Sequence, residues 1–473
     1  IVTPRSHIEL SARARSVDVF KIKDIAALQY TPVEASITST IVAAEDLQKF
    51  LPSLNFLRGS TRLECSLAGE FGAIRVTTLQ AMFGRSTINL SGTVSNLHRA
   101  TELTMNIESK GTLIQPSDVP KLLPFFHIPD YGNVGNLALD FHYVGRPLDF
   151  QVVATASTPA GRIRVDGGLD LTGEVMKYHA TFGGSRVNLE KVFSKWPLRS
   201  QLDFSGTIRG KGTSIDELQS AMALDVDSSF FGRIPISHLH VTANAQEKNI
   251  LLAAKLRSPK GDISLESMFD YTSRASGSYV LKGTGTHVDL AAVFDDDHYD
   301  SDCSFTLNAY GRNFLTERMT SDLHLEFLPS RFGVYTFDTS RAELHLQLDS
   351  LGRKTIRLES PIADASIDGA FSYDGVLQMV TSHVNAMQLV YDKQRVIFDS
   401  TFVPAISDSA RNAGVRTAHA APNSQSDIHY VLRMKNLEPL AIFIGTGIFN
   451  AVGDIEGRLR GNSDSLSAEG SLS

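Results

Sequence analysis

The sequence predicts an all-β protein: an elongated, repeat-built antiparallel sheet curled into an open half-pipe (a β-taco groove), with short helices at the starts of its repeats. Three observations carry that expectation. Apolar residues alternate with polar ones at period two along most of the chain, helical spacing is confined to short pieces, and matching segments recur at an interval near 100 residues.

Leu137, Leu139, Phe141 and Tyr143 alternate with Ala138, Asp140 and His142, and Ile263 and Leu265 with Asp262, Ser264 and Glu266. Leu323, Leu325 and Phe327 are interleaved with Asp322, His324 and Glu326; Leu344, Leu346 and Leu348 with Glu343, His345, Gln347 and Asp349. Leu202, Phe204, Phe269, Phe305 and Leu307 hold comparable positions. A strand of this kind has one apolar and one wet face, the habit of antiparallel sheets, because parallel strands covered on both sides read as unbroken apolar runs. Turn signals fall between the runs at Pro159-Ala160-Gly161, Pro259-Lys260-Gly261, Tyr373-Asp374-Gly375 and Gly445-Thr446-Gly447.

The helical pieces are short. AAEDLQKFLPSL (43–54) sets Leu47, Phe50, Leu51 and Leu54 on one stripe. Comparable pieces are SDVPKLLPFF (117–126), NLEKVFSKW (188–196), DLAAVF (289–294) and LEPLAI (437–442). Residues around them repeat as well. SPKGDISLESMFDY (258–271) aligns without gaps to SPIADASIDGAFSY (360–373), with six identities in 14 at an offset of 102 (360 − 258). TPAGRIRVDGGLDL (158–171) precedes it by 100 (258 − 158), and FGRSTINLSGTV (83–94) is a looser copy. At an offset of 101, Gly210, Ser229, Phe231 and Gly232 map onto Gly311, Ser330, Phe332 and Gly333. Units of this kind stack so that each shields its neighbour's edge. No linker interrupts them, so the chain reads as one array, 1–473, with approximate units 1–110, 111–184, 185–285, 286–384 and 385–473. The small, polar run 404–427 reads as a mobile loop.

Composition bounds the function. With 42% hydrophobic and 21% charged residues the chain is neither disordered nor a polytopic membrane protein. Lys plus Arg number 45 against 52 Asp plus Glu, a net charge of −7, so no basic field exists to hold nucleic acid. Cys65 and Cys303 stand too far apart for a CxxC site and read as free, buried, strand-borne thiols. The uncharged stretch Pro439 to Gly453 contains three glycines and falls short of the roughly 20 apolar residues of a spanning helix. The chain opens IVTPRSHIEL and closes GDIEGRLRGNSDSLSAEGSLS, which reads as a segment of something longer.

An apolar sheet face must hide against a second sheet, inside a barrel, in a bilayer or against a ligand. One Trp and 8% aromatics disfavour the aromatic girdles of a membrane barrel, and rungs of about 20–25 residues, the mark of a β-helix, are missing. An open half-pipe of roughly 30 strands, about 4.8 Å apart, fits best.

The cadence LDFSGTIRGKGTSIDELQSAMALDVDSS (202–229), its continuation to Tyr271, the VDLAAVF helix (288–294) and the return of the pattern at 436–472 resemble the TamB and AsmA-like family over essentially the whole chain. The resemblance is one of pattern, not of catalytic motifs. It implies a bridge-like lipid-transfer sheet whose hydrophobic groove spans the periplasm of a Gram-negative envelope. An inner-membrane anchor outside this segment and a TamA-type outer-membrane barrel partner are implied with it. The expected function is a periplasmic conduit that shields phospholipid acyl chains between inner and outer membranes and so supports outer-membrane biogenesis. The expected groove is lined by Leu137, Leu139, Phe141, Tyr143, Leu202, Phe204, Ile263, Leu265, Phe269, Phe305, Leu307, Leu323, Leu325, Phe327, Leu344, Leu346 and Leu348. The alternative is a chaperone or scaffold that receives outer-membrane β-strands by β-augmentation. An extracellular structural or adhesive repeat is a third reading.

Chemistry-bearing motifs are weak. The run Asp295, Asp296, Asp297, His298, Asp300, Asp302 lacks the Gly and Glu of a calcium loop and reads as a helix-to-strand turn. Gly206 to Thr213, GTIRGKGT, misses the phosphate-loop spacing and reads as a hairpin turn. His238 and His240 share a strand face without a third metal ligand in the sequence nearby, and read as solvent-facing. No HExxH or GxSxG is present, and glycan hydrolysis lacks its carboxylate pair. A protein that is not an enzyme, without cofactor or metal, is expected.

Overall fold

The computed structural model describes residues 2–15, 29–50, 58–70, 72–97, 99–122, 134–193, 199–271, 277–314, 316–373, 426–436, 452–461 and 466–472. The helix expected at 437–442, the turn at 445–447 and the loop at 404–427, except its last two residues, lie outside them. Among the described residues twenty-six strands form one antiparallel sheet that is not closed into a barrel. The chain divides into two compact units, Ile1–Asp262 and Ile263–Ser473.

Unit 1 is a meander of β1 (His7–Ala14), β2 (Pro32–Ala43), β3 (Ser60–Glu70), β4 (Ala73–Phe83), β5 (Ser86–Ser95), β6 (Thr104–Ile114), β7 (Leu137–Arg146), β8 (Asp149–Thr158), β9 (Gly161–Asp170), β10 (Lys177–Val187), β11 (Ser200–Lys211), β12 (Gln219–Phe231), β13 (Ile234–Gln246) and β14 (Asn249–Arg257). Each pairs antiparallel with the next. Helices α1 (Ala44–Phe50), α2 (Val119–Leu122) and α3 (Leu189–Val192) follow β2, β6 and β10. In such a meander the even-numbered strands run the same way, so all three helices leave the sheet on one rim. The GTIRGKGT stretch corrects the expectation of a turn: its first six residues belong to β11, pairing Gly206 with Leu224 through to Lys211 with Gln219. Thr207, Ile208 and Arg209 keep the period-two pattern, and the chain leaves the strand only at Gly212, whose φ is +74°.

Unit 2 holds β15 (Asp262–Asp270, its first residue ending unit 1), β16 (Ser278–Val288), helix α4 (Leu290–Phe294), β17 (Ser301–Arg312), β18 (Thr320–Phe327), β19 (Ser330–Phe332), β20 (Tyr335–Phe337), β21 (Ser340–Leu348), β22 (Lys354–Glu359), β23 (Ala363–Ala370), β24 (Ser426–Met434), β25 (Gly453–Gly461) and β26 (Leu466–Leu472). From β16 the ladder runs through β17, β18, β21, β22, β23, β24 and β25 to β26, with β19 and β20 as a side ladder on β17. The long β12 of unit 1 corresponds to β18 plus β19, because the offset of 101 carries Ser228, bent at φ +46°, to Pro329. Proline has no N–H for the ladder, and the strand breaks there. Among the described residues no helix is long and apolar enough to cross a membrane.

The repeat seen in sequence is a repeat of hydrogen bonds. Ser229 Oγ donates to Asp227 O at 2.7 Å and accepts the Asp203 N–H at 2.8 Å; Ser330 Oγ donates to Leu328 O at 2.7 Å and accepts the Ser304 N–H at 3.0 Å. The N–H groups of Gly232 and Gly333 donate to Arg199 O and Asp300 O. Arg186 and His287 take the same left-handed conformation, φ +51° and +53°, beside matching bulges in β10 and β16. The rings of Phe204 and Phe305 lie over Gly184 and Gly285 and leave no room for a Cβ. At the offset of 102, the Ser258 and Ser360 N–H groups each reach the carboxylate four residues on, Asp262 and Asp364, at 3.3 Å.

A buried serine closes each junction from a strand to α1, α2, α3 and α4. Ser6, Ser86, Ser200 and Ser301, each at most 4% exposed, accept the N–H of Ala43, Gln115, Leu189 and Leu290 at 2.7–3.0 Å. These N–H groups sit where the ladder gives way to the helix, those of Leu189 and Leu290 at the first helical position, so they have no intrahelical carbonyl to donate to and the hydroxyls supply the partner. Asp118 is buried beside Ser86. Burial pushes its carboxyl up, but the Arg85 N–H, Lys121 and Ser86 together hold it below its ordinary value.

Acid stability follows from the strand ends. Asp170 accepts from the Thr172 hydroxyl at 2.6 Å, the Thr172 N–H at 2.9 Å and Lys177 Nζ at 3.2 Å, which lowers its pKa from 3.8 to about 2. In unit 2 the Arg458 guanidinium holds Asp427 at about 2. Folded values below the unfolded one mean stability that is present above about pH 4 and lost as pH falls through about 2. The expected result is a urea midpoint, followed by circular dichroism, that drops between these pH values in the parent and drops less in Asp170→Asn. An equal drop in both would contradict the assignment.

Candidate functional site

Cross-strand partners in an antiparallel sheet point to the same face, so the registers identify which side chains share one surface. In unit 1 a single row runs from Leu10 through Ile37, Cys65, Leu79, Leu90, Ser109, Phe141, Ala154, Val165, Phe182, Gly206, Leu224 and Val241 to Ala254, one residue from each of the fourteen strands. A second row joins Leu139, Ala156, Ile163, Gly184, Phe204, Val226, Leu239 and Leu256. Following these registers along every strand, no charged side chain falls on this face among the described strand residues of unit 1. The opposite face carries the charges, among them Glu64, Asp140, Arg164, Asp166, Arg209, Asp225, Asp227, Lys255 and Arg257.

Unit 2 repeats the arrangement. One row joins Leu281, Ala309, Leu323, Leu344, Leu358, Ala365, Leu432 and Ile455, and Phe305 and Leu307 face Phe327 and Leu325. Leu265 lies against Gly283 on the same side, and the Phe269 ring is 6.5 Å from that of Tyr279. One charge sits on the described face from β15 to β25, Lys354, cross-strand to Leu348. It is 5% exposed, its ammonium pairs with Glu317 and stands 4.1 Å from the Tyr373 ring centroid, beside a small core of Phe371, Ile428 and Leu459. The ion is thus neutralised where the apolar row ends.

All seventeen residues expected to line a groove fall on these faces, six in unit 1 and eleven in unit 2, and every one is half-buried. They shield one another sideways: Phe182 to Phe204 at 6.4 Å, Phe305 to Phe327 at 6.3 Å, Phe327 to Phe337 at 5.6 Å and Tyr143 to Phe150 at 4.8 Å between ring centroids. A second packed layer would have buried them, and Leu139, Phe141 or Leu325 would read as core. Thirteen strand spacings of about 4.8 Å by a strand of about 25 Å give unit 1 an apolar face on the order of 1,500 Å². Soluble monomers rarely expose more than a few hundred Å² of contiguous apolar surface unless it binds something.

Positions on the face that the alternation did not single out are occupied by Ala154, Ala156, Gly167, Gly206 and Ser109, small residues that announce no strand pattern. The signal that finds them is the absence of charge at the right parity, not the presence of a large apolar side chain.

The remaining candidates are structural. His238 Nδ1 meets Asp227 Oδ1 at 2.7 Å and His240 Nδ1 meets Asp225 Oδ1 at 2.6 Å on the charged face of unit 1. In unit 2 the bond to Asp322, at 2.6 Å, raises His345 above its ordinary value. The acidic run forms the turn from α4 to β17: Asp295 caps the helix at φ +59°, Asp296 accepts the His298 N–H at 3.0 Å, and Asp300 pairs with Arg331. Among the described residues no three His, Cys, Asp or Glu side chains are placed to hold a metal ion. Cys65 and Cys303 are free and buried, and burial pushes both thiols up, away from reactivity. No family model, curated protein or solved structure matches the chain, so what stands for its identity is this pair of open, apolar sheet faces.

Proposed function

We propose that the apolar face of each unit holds the acyl chains of phospholipid, and that the chain works as a lipid-transfer conduit. The observation that carries this reading is the charge-free, half-open row crossing all fourteen strands of unit 1. The chemistry favours a lipid over a polypeptide. On the face of a sheet every backbone N–H and C=O is already spent in the ladder, so a peptide lying there would leave its own backbone groups unpaired, at a cost of about 1–3 kcal/mol each. An acyl chain has no such groups. Each buried methylene contributes about 0.8 kcal/mol, so a chain of about 16 carbons in half contact gains on the order of 6 kcal/mol without any shaped pocket. The resemblance to TamB and AsmA-like proteins supports the periplasm as the setting, inner and outer membranes as donor and acceptor, and a TamA-type barrel as partner.

Organic extraction of the chain purified without detergent tests the reading. Phospholipid recovered at one or more molecules per chain is the expected result. Protein that is soluble, folded and free of lipid would overturn it, and recovery of bound outer-membrane polypeptide instead would favour the chaperone role.

A further inference from the structure

On the helix rim of unit 1, the β8–β9 turn, the end of β10, α3 and the start of β11 enclose a cavity of about 540 Å³. Arg162, Arg186, Lys191 and Arg199 line it, with Ser185 and Asn188 as neutral hydrogen-bonding groups. No carboxylate is among the lining residues, and none of the four cations makes an ion pair with another described residue. Arg162 Nε donates to Ser157 Oγ at 3.2 Å. Asp203 accepts the backbone N–H of Arg186 at 2.9 Å, which anchors the left-handed turn there and leaves the guanidinium unmatched.

The internal repeat provides a control. The offset of 101 carries Arg186 to His287, Arg199 to Asp300, Gln201 to Asp302 and Phe230 to Arg331, and the offset of 100 carries Arg162 to Asp262. At that second place the bulge, the junction serine and the left-handed residue are all kept, yet the charges cancel. His287 Nδ1 meets Asp302 Oδ1 at 2.8 Å, and Arg331 Nη1 meets Asp300 Oδ2 at 2.6 Å. The backbone therefore does not require an uncompensated cationic cluster. Like charges gathered around one cavity repel, by about 1 kcal/mol per pair at 4 Å even in water, and an anion turns that cost into attraction. Arginine forks match the planar spread of phosphate oxygens, and a lysine adds a point charge.

We propose that this cavity binds a phosphate-class oxyanion, a phosphomonoester or phosphodiester, delivered either as a free phosphorylated solute or as the headgroup of an anionic phospholipid. The site stands on the rim and its charges, so it holds whether or not acyl chains occupy the apolar face.

Calorimetric titration of the full chain with inorganic phosphate and with sn-glycerol 3-phosphate tests it, together with flotation on vesicles of phosphatidylcholine with and without phosphatidylglycerol. The control variant is Arg199→Asp with Gln201→Asp, which introduces the two carboxylates that the second repeat carries at these positions, Asp300 and Asp302. A second variant, Arg162→Gln with Lys191→Gln, removes charge without adding any. Saturable phosphate binding in the parent, weakened about tenfold or more in both variants at unchanged melting temperature, is the expected result. Phosphatidylglycerol-dependent flotation lost in the same variants assigns a headgroup as the source; phosphate binding without it assigns a free solute. Absence of binding to either phosphate probe and to the anionic vesicles, or equal binding in parent and variants, overturns the proposal.

Discussion

Leu325→Asp strips the chain of co-purifying phospholipid while its melting temperature stays within about 5 °C of the parent. Leu325 faces Leu307 on one side and Ala342 on the other, in a row without charge. With lipid over it, a carboxylate there must be dehydrated against methylenes at a cost of several kcal/mol, more than the contacts it interrupts return. Without lipid the same carboxylate reaches water, because Leu325 is only half-buried. The folding penalty is then about 1–2 kcal/mol, well under the 3–5 kcal/mol of a true core position. Leu325→Met, which keeps volume and apolarity, retains the lipid. Phe204→Arg performs the same test in unit 1. Phosphorus content after organic extraction and a calorimetric melt are the two readouts. Full lipid content in Leu325→Asp sinks the conduit, and global unfolding would mean that the face is a packed core.

Ser200→Ala and Ser301→Ala each lower stability by about 1–3 kcal/mol, a fall of about 3–10 °C in the melting temperature of the unit concerned. The loss is not one of packing, since alanine differs by a single oxygen. It comes from the N–H of Leu189 or Leu290, which loses its hydroxyl partner at 2.7 Å beside a serine at most 4% exposed. Ser205→Ala, on the exposed face of β11, stays within about 0.5 kcal/mol. Amide exchange at Leu189 accelerates in Ser200→Ala ahead of the strands around it. Unchanged exchange and an unchanged melt would remove the junction serine from the account.

The antiparallel sheet and its apolar face were legible because they rest on parity, and parity survives without knowledge of partners. Leu137, Leu139, Phe141 and Tyr143 announce their face within one strand. The pairing of Phe204 with Gly184, or of Phe182 with Gly206, is not legible, since glycine marks a face only through the residue opposite it. GTIRGKGT misled for the same reason: its glycines read as a turn, whereas Gly206 and Gly210 sit inside β11, where neighbouring strands leave no room for a Cβ. The junction serines were invisible because a serine before a strand is common, and only the N–H it receives, between 11 and 37 residues away, gives it meaning. The cationic rim cavity was hidden more deeply still. Its four charges come from three separate segments, which only the folded sheet brings around one cavity.

The placement of α1, α2 and α3 after β2, β6 and β10 sets a rule for how such a chain changes length. Removing or adding one strand would reverse the direction of every strand that follows and move later helices to the other rim. Adding a hairpin does neither. The sheet therefore lengthens or shortens in steps of two strands, about 9.6 Å at a time, so the smallest increment by which it grows is one hairpin.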